Sequence, residues 1–201
     1  MSYDDPDLTA LLGSRICHDL ISPLGAIGNG VELLSMAGTA GGPEMALIAE
    51  SVASAKARIR FFRIAFGAAA ADQRLGRPEI VAVIGDMTRG GKLAIDWHPE
   101  GDQARREVKL AFLALQCLET ALPWGGRVSI SRQGTGWRMR AEAQRMKVDP
   151  ALWAVATGSA SASAEGISAA QVHFALMPVE AARQNRQLQA DLTETEISLR
   201  F

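Results

Sequence analysis

Cysteine is nearly absent from the 201 residues: Cys17 and Cys117 stand far apart, with no second thiol near either. That argues against a disulfide framework and against a thiolate metal site. An excess of one charge is missing too. Lys and Arg number 21 against 22 Asp and Glu, for a formal net charge of −1, so there is no basic surplus of the kind that neutralises nucleic-acid phosphates. Long apolar runs are also lacking, and no window approaches the roughly 20 apolar residues of a membrane span. The opening stretch MSYDDPDLTALLGSR is acidic where a secretory leader would be basic. The expectation is a cytoplasmic protein that binds neither membrane nor nucleic acid. What the chain does have is core-forming material, with 48% hydrophobic against 21% charged residues.

From Asp7 to Met36 the apolar residues Leu12, Ile16, Leu20, Leu24, Ile27, Val31 and Leu34 recur at steps of three or four, the period of an amphipathic helix. After AGTAGGPE, the positions Met45, Ile48, Val52, Ala55, Ile59, Phe62 and Phe66 repeat in three-four alternation. Two long helices joined by a Gly-rich turn predict an antiparallel hairpin. Two helices leave much of each seam open, and a second copy of the chain would close a four-helix bundle. The chain's own C-terminal half is the other candidate to cover the seam.

Beyond residue 71 the pattern becomes α+β. PEIVAVIGDM reads as a helix, KLAIDWH as a strand, Arg105 to Ala121 as a helix, and RVSISRQ with WRMRAEAQ as a hairpin. A short helix follows, with Asp149 as its cap and Pro150 in its first turn. TGSASASAEG reads as a loop, SAAQVHFALMPVEAA as a helix, and RQLQADLT with TEISLRF as a closing pair of strands. Helices on one face of a mostly antiparallel sheet are expected.

The first helix carries ICHDLISPLGAIGNG. At about 100° per residue His18 falls opposite the centre of the apolar stripe near Ile27, and so points at solvent. Its helical neighbours Ser14, Arg15, Ser22, Gly25 and Asn29 are small or polar, leaving the imidazole open to a docking macromolecule. Pro23, which costs a helix interior roughly 3 kcal/mol, removes the helical bond to the carbonyl of Asp19 and so predicts a kink one turn from His18. A neutral imidazole nitrogen is a good nucleophile towards phosphorus near neutral pH. Asp19 can hold the proton on the other ring nitrogen, and Ser22 lies one turn further on. Among the other notable side chains, Cys17 is expected to pack, His98 to sit in a surface turn, and His173 to be a packed histidine.

The run His18, Asp19, Leu20, Ser22, Pro23, Leu24 and Ile27 resembles the H-box of two-component histidine kinases. The order of elements in the second half is similar to that of the kinase ATPase (Bergerat) domain, down to ALPWGG before a strand. Its nucleotide chemistry is missing. The chain has only two asparagines, Asn29 and Asn185, so the helix from Arg105 to Ala121 offers Gln116 and Cys117 but no asparagine for magnesium. MRAEAQRMK supplies no DxGxG, and TGSASASAEGIS no GxGxG.

A histidine-bearing hairpin with a degenerate ATPase-like domain resembles the ChpT-type histidine phosphotransferases of alphaproteobacteria. That resemblance implies a dimeric four-helix bundle built from residues 1–71 and an ATPase-like α/β sandwich over 72–201. It implies a homodimeric relay component that takes phosphoryl groups from the receiver of a hybrid kinase and passes them to CtrA- and CpdR-like response regulators. His18, Asp19 and Ser22 would be catalytic. No cofactor would be bound by the chain itself, with magnesium supplied by the receivers. Lys56, Arg60 and Arg63 share one face of the second helix and form either a receiver-docking face with the neighbours of His18 or a solvated face. Two rival readings are an autophosphorylating kinase and a module that sequesters a regulator without chemistry.

Overall fold

The computed structural model describes residues 8–37, 42–70, 72–161 and 166–201. Helix α1 (Leu8–Ala37) runs unbroken through Pro23, and α2 (Pro43–Ala65) returns against it. Gly30 of α1 faces Ile48 of α2, whose side chain would lie 2.4 Å from an added Cβ. The Gly-rich turn at 38–41 lies outside the described residues, as do residues 1–7 ahead of α1 and most of the loop read in TGSASASAEG.

The second half follows as β1 (Arg74–Leu75), α3 (Arg77–Thr88), β2 (Leu93–Trp97), β3 (Gln103–Ala104), α4 (Arg105–Ala121), β4 (Gly126–Gln133), β5 (Gly136–Glu142), α5 (Pro150–Ala156), α6 (Val172–Arg183), β6 (Gln189–Leu192) and β7 (Glu196–Arg200). A 3₁₀ turn, Ala169–Gln171, leads into α6 and is held by a capping box between Ser168 and Gln171. As expected, Asp149 caps α5, accepting from the backbone N–H groups of Ala151 at 3.0 Å and Leu152 at 3.4 Å.

Five strands pair in the order β2-β4-β5-β7-β6. All neighbours are antiparallel except β2 with β4. The parallel pair exists because α4 carries the chain back across the sheet between these two strands, a crossover that a local reading of strands cannot reveal. Also unread in the sequence was the two-residue pairing of β1 with β3. Along β5 the period-2 alternation buries Trp137, Met139 and Ala141 and exposes Arg138, Arg140 and Glu142. In the PWGG turn into β4, Gly125 adopts φ 96°, and a Cβ there would lie 2.5 Å from the carbonyl oxygen of Lys92.

Helix α4 is buried all round from Leu110 to Leu118, with its charged residues towards the two ends. One side faces the sheet and the other the hairpin, where Phe112 stacks on Phe61 with ring centroids 4.7 Å apart. Phe61, Phe62, Ile64 and Ala65 at the end of α2 are buried in the same core as α4. The hairpin seam is thus covered unevenly. Phe62 is buried within the chain, whereas Ile59 and Met45 on α2 and Leu24 on α1 stay exposed. Arg105 at the start of α4 also ties the two halves, donating to the carbonyls of Arg63, in the last turn of α2, at 2.7 Å and of Ala68, beyond it, at 3.1 Å.

Candidate functional site

His18 stands on α1 with its side chain 81% exposed, as its position opposite the apolar stripe predicts. Its Nδ1 lies 3.2 Å from Oδ1 of Asp19. A carboxylate only accepts, so the neutral ring in this geometry carries its proton on Nδ1 and leaves the lone pair of Nε2 free.

Asp19 stands where the expected contact with the ring can form, and its side chain is only 8% exposed. Nε of Arg15 reaches its Oδ2 at 2.9 Å, and Nη1 of Arg58, from α2, lies 3.7 Å from the same oxygen. Cations placed this close offset part of the cost of burying a carboxylate. Arg15 also donates through Nη1 to the carbonyl of Ala170, in the 3₁₀ turn before α6, at 2.6 Å. Glu119, near the end of α4, feels the charges of Arg58, Arg15 and Asp19. Elements far apart in sequence thus meet beneath His18.

Of the other residues singled out in the sequence, Ser22, Gly25 and Asn29 are exposed on α1. A Cβ at Gly25 would meet nothing within 4 Å. The side chains of Ser14 and Cys17 lie outside the described residues. Arg15 is not part of an open docking face, because both of its bonds point inward. Arg60 is held by Asp86 of α3 at 3.0 Å, while Lys56 and Arg63 are exposed. Arg58 was missed, although the hairpin pattern contains the signal for it. Gly30 faces Ile48, so eleven residues back along α1 and ten forward along α2 bring Asp19 opposite Arg58.

His98 is exposed after β2, as expected, and His173 is buried. The His173 Nε2 is 3.1 Å from the Thr120 hydroxyl, and its ring packs on Phe174 with centroids 4.7 Å apart. Burial, aided by the charge of Arg15, pushes its pKa down to about 3. A histidine kept neutral when folded but titrating near 6.5 when unfolded lets the unfolded state bind the extra proton first. Stability is therefore complete above pH 6.5 and is lost as pH falls from there towards 3. By pH 5 the loss is on the order of 2 kcal/mol. Urea midpoints at pH 7.5 and pH 5 should differ by less in His173→Phe than in the wild type, and an equal pH dependence in the two would refute this assignment.

On α4, at the place where an ATPase-like domain would need its magnesium-binding asparagine, Gln116 and Cys117 are buried. The Cys117 thiol lies 4.0 Å from the sulfur of Met177 on α6. Among the described residues, no three His, Cys, Asp or Glu side chains converge as a metal site, and no helix is long and apolar enough to cross a membrane.

The chain is similar to known phosphotransferases. Residues 77–196 match the model of the histidine phosphotransferase C-terminal domain. The chain is 35% identical over 184 residues to a protein phosphotransferase ChpT of Brucella abortus (strain 2308), an alignment covering 88% of this chain and 87% of that one. A solved bacterial phosphotransferase superposes with a TM-score of 0.79 at 32% identity, covering 96% of this chain and 95% of its own. With a matching domain over most of the second half and a relative alike along nearly the whole length, this chain belongs to the ChpT-type histidine phosphotransferases.

Proposed function

We propose that the chain is a phosphoryl carrier in a multistep phosphorelay, accepting the group from the phospho-Asp of a hybrid-kinase receiver on His18 and passing it to the Asp of a response-regulator receiver. The observation that carries this reading is His18, its side chain 81% exposed and its Nδ1 on the buried Asp19 carboxylate. In the forward step the Nε2 lone pair attacks phosphorus, the bond from phosphorus to the receiver's carboxylate oxygen breaks, and that carboxylate leaves. The positive charge that develops on the imidazole is met by Asp19 through the Nδ1 proton. The reverse sequence on a second receiver discharges the phosphohistidine. Magnesium comes from the receivers, where it neutralises the transferring group. Ser22, one turn from His18, is placed to touch the incoming phosphoryl group or its receiver.

Exposed Ser22, Gly25 and Asn29 on α1, together with Lys56 and Arg63 on α2, offer a bare and locally basic face to an acidic receiver. The regulators of CtrA and CpdR type implied by the family are the proposed acceptors, and the cytoplasm the proposed compartment. We divide the chain into a histidine-bearing hairpin, 1–71, and an ATPase-like part, 72–201, that does not bind nucleotide. Supporting this last reading, the α4 face bearing Cys117 is packed against Met177 of α6. The test is to incubate the chain with a phosphorylated receiver, and separately with Mg-ATP alone. Acid-labile, base-stable label on the chain in the first mixture only is the expected result, and labelling from Mg-ATP alone would favour a kinase.

The hairpin is proposed to pair with a second copy as a four-helix bundle. Ile21, Leu24, Met45 and Ile59 expose apolar side chains on both helices, more than a solvated hairpin has reason to carry. Ile59→Asp should shift the protein from dimer to monomer in sedimentation at micromolar concentration, because the interface would bury a charge without a partner. Phe62 is unsuited to that test, since it is buried in the chain's own core and its substitution would disturb folding first. A wild-type monomer at that concentration would refute the bundle.

A further inference from the structure

The carboxylate beside His18 has two oxygens with separate duties. Oδ1 is 3.2 Å from His18 Nδ1, while Oδ2 is occupied by Nε of Arg15 at 2.9 Å, with Arg58 at 3.7 Å. The Arg15 side chain is itself 19% exposed and held at its other end, where Nη1 donates to the carbonyl of Ala170 at 2.6 Å. That carbonyl belongs to the short turn fixed by the Ser168 and Gln171 capping box. A guanidinium is a planar fork, so two bonds made by different nitrogens set its plane, and its plane sets the rotation of the carboxylate it holds.

We infer that Arg15 is a positioning residue for phosphoryl transfer, tying the tautomer of His18 to the seating of the C-terminal part through one carboxylate. This rests on His18 as the phosphoryl carrier. With Oδ2 taken by Arg15, only Oδ1 is left for the ring, which keeps the proton on Nδ1 and the attacking lone pair on Nε2. If Arg15 is removed, the carboxylate turns freely, and the exposed imidazole returns towards the mixture of tautomers that imidazole has in water. The form with its proton on Nε2 cannot attack from that nitrogen. Arg58 reaches the same oxygen from a greater distance and makes no contact with Ala170, so it supplies charge without this link.

The experiment uses full-length protein labelled with ¹⁵N in its histidines, examined as wild type, Arg15→Gln and Arg15→Lys. Long-range proton–nitrogen spectra at mildly alkaline pH report which ring nitrogen of His18 carries the proton, with buried His173 as an internal monitor of folding. Wild type should show the Nδ1–H pattern, and Arg15→Gln a shift towards Nε2–H. Single-turnover transfer from a phosphorylated receiver should then lose roughly ten- to a hundred-fold in maximal rate. The receiver concentration at half-maximal rate should stay unchanged. Arg15→Lys, which keeps the charge but lacks the fork, should fall between the two, and it decides the matter if Arg15→Gln fails to fold. A wild-type tautomer pattern in the folded variants overturns the inference, as does a loss confined to the half-maximal receiver concentration. A parallel His18→Gln sample separates the two claims: label that persists without His18 defeats the carrier reading itself, whereas normal tautomers with His18-dependent label defeat only the role of Arg15.

Discussion

His18→Gln is expected to leave no acid-labile label after incubation with a phosphorylated receiver, a loss of more than about 10³-fold, the scale seen when an enzyme loses its nucleophile. Glutamine approximates the size and polarity of the ring but offers no nitrogen lone pair able to form a phosphoramidate. Because the side chain is 81% exposed, its replacement disturbs no packing. The folded state should be unchanged in thermal unfolding and in sedimentation, so lost transfer could not be charged to lost structure. The two rival functions part at this point. A module that only sequesters a regulator would keep its effect in His18→Gln, and a kinase would be labelled by Mg-ATP in the wild type. Label surviving on another residue of the variant would refute His18 as the carrier.

A fragment comprising residues 1–71 is expected to be both poorly folded and slow. Phe61, Phe62 and Ile64 on α2 are each at most 6% exposed in the whole chain, and they lose their cover when α4 is removed. At about 1.5–3 kcal/mol for each large apolar side chain, that exposure costs on the order of 5 kcal/mol or more, comparable with the net stability of a whole domain. The fragment also loses Arg105, which satisfies carbonyls at and beyond the end of α2, and the Ala170 carbonyl that anchors Arg15. Reduced helicity by circular dichroism, with a broad thermal transition, should accompany a fall in transfer of ten-fold or more, the scale expected when reacting groups are misplaced. A fragment that stayed dimeric, cooperative and fully active would show that residues 72–201 brace nothing.

The second half, proposed to bind no nucleotide, keeps a physical task if the hairpin cannot bury its own aromatic end and the buried Asp19 cannot hold its orientation alone. The uneven seam of α2 expresses this division. At its C-terminal end Phe61 stacks on Phe112 of α4, while Ile59 and Met45 remain exposed on the hairpin.

Much of the molecule was legible from residue order alone, where the determining forces are local. Three-four spacing marked both long helices, period-2 alternation marked β5, and Asp149 with Pro150 marked the start of α5, because each reflects geometry repeated within a few residues. The exposure of His18 followed from its angle to the apolar stripe. Tertiary structure decided the rest. Asp19 sits on the polar side of α1 beside an exposed histidine, yet it is buried because Arg58 of α2 and the turn at Ala170 close over it with Arg15. Arg60 looked free for docking until α3 placed Asp86 beside it. The parallel pairing of β2 with β4 depended on the path of α4 across the sheet. Periodicity tells which face of an element is apolar, but the partner of a charged group is set by which elements meet in space, and that depends on contacts between residues distant in sequence.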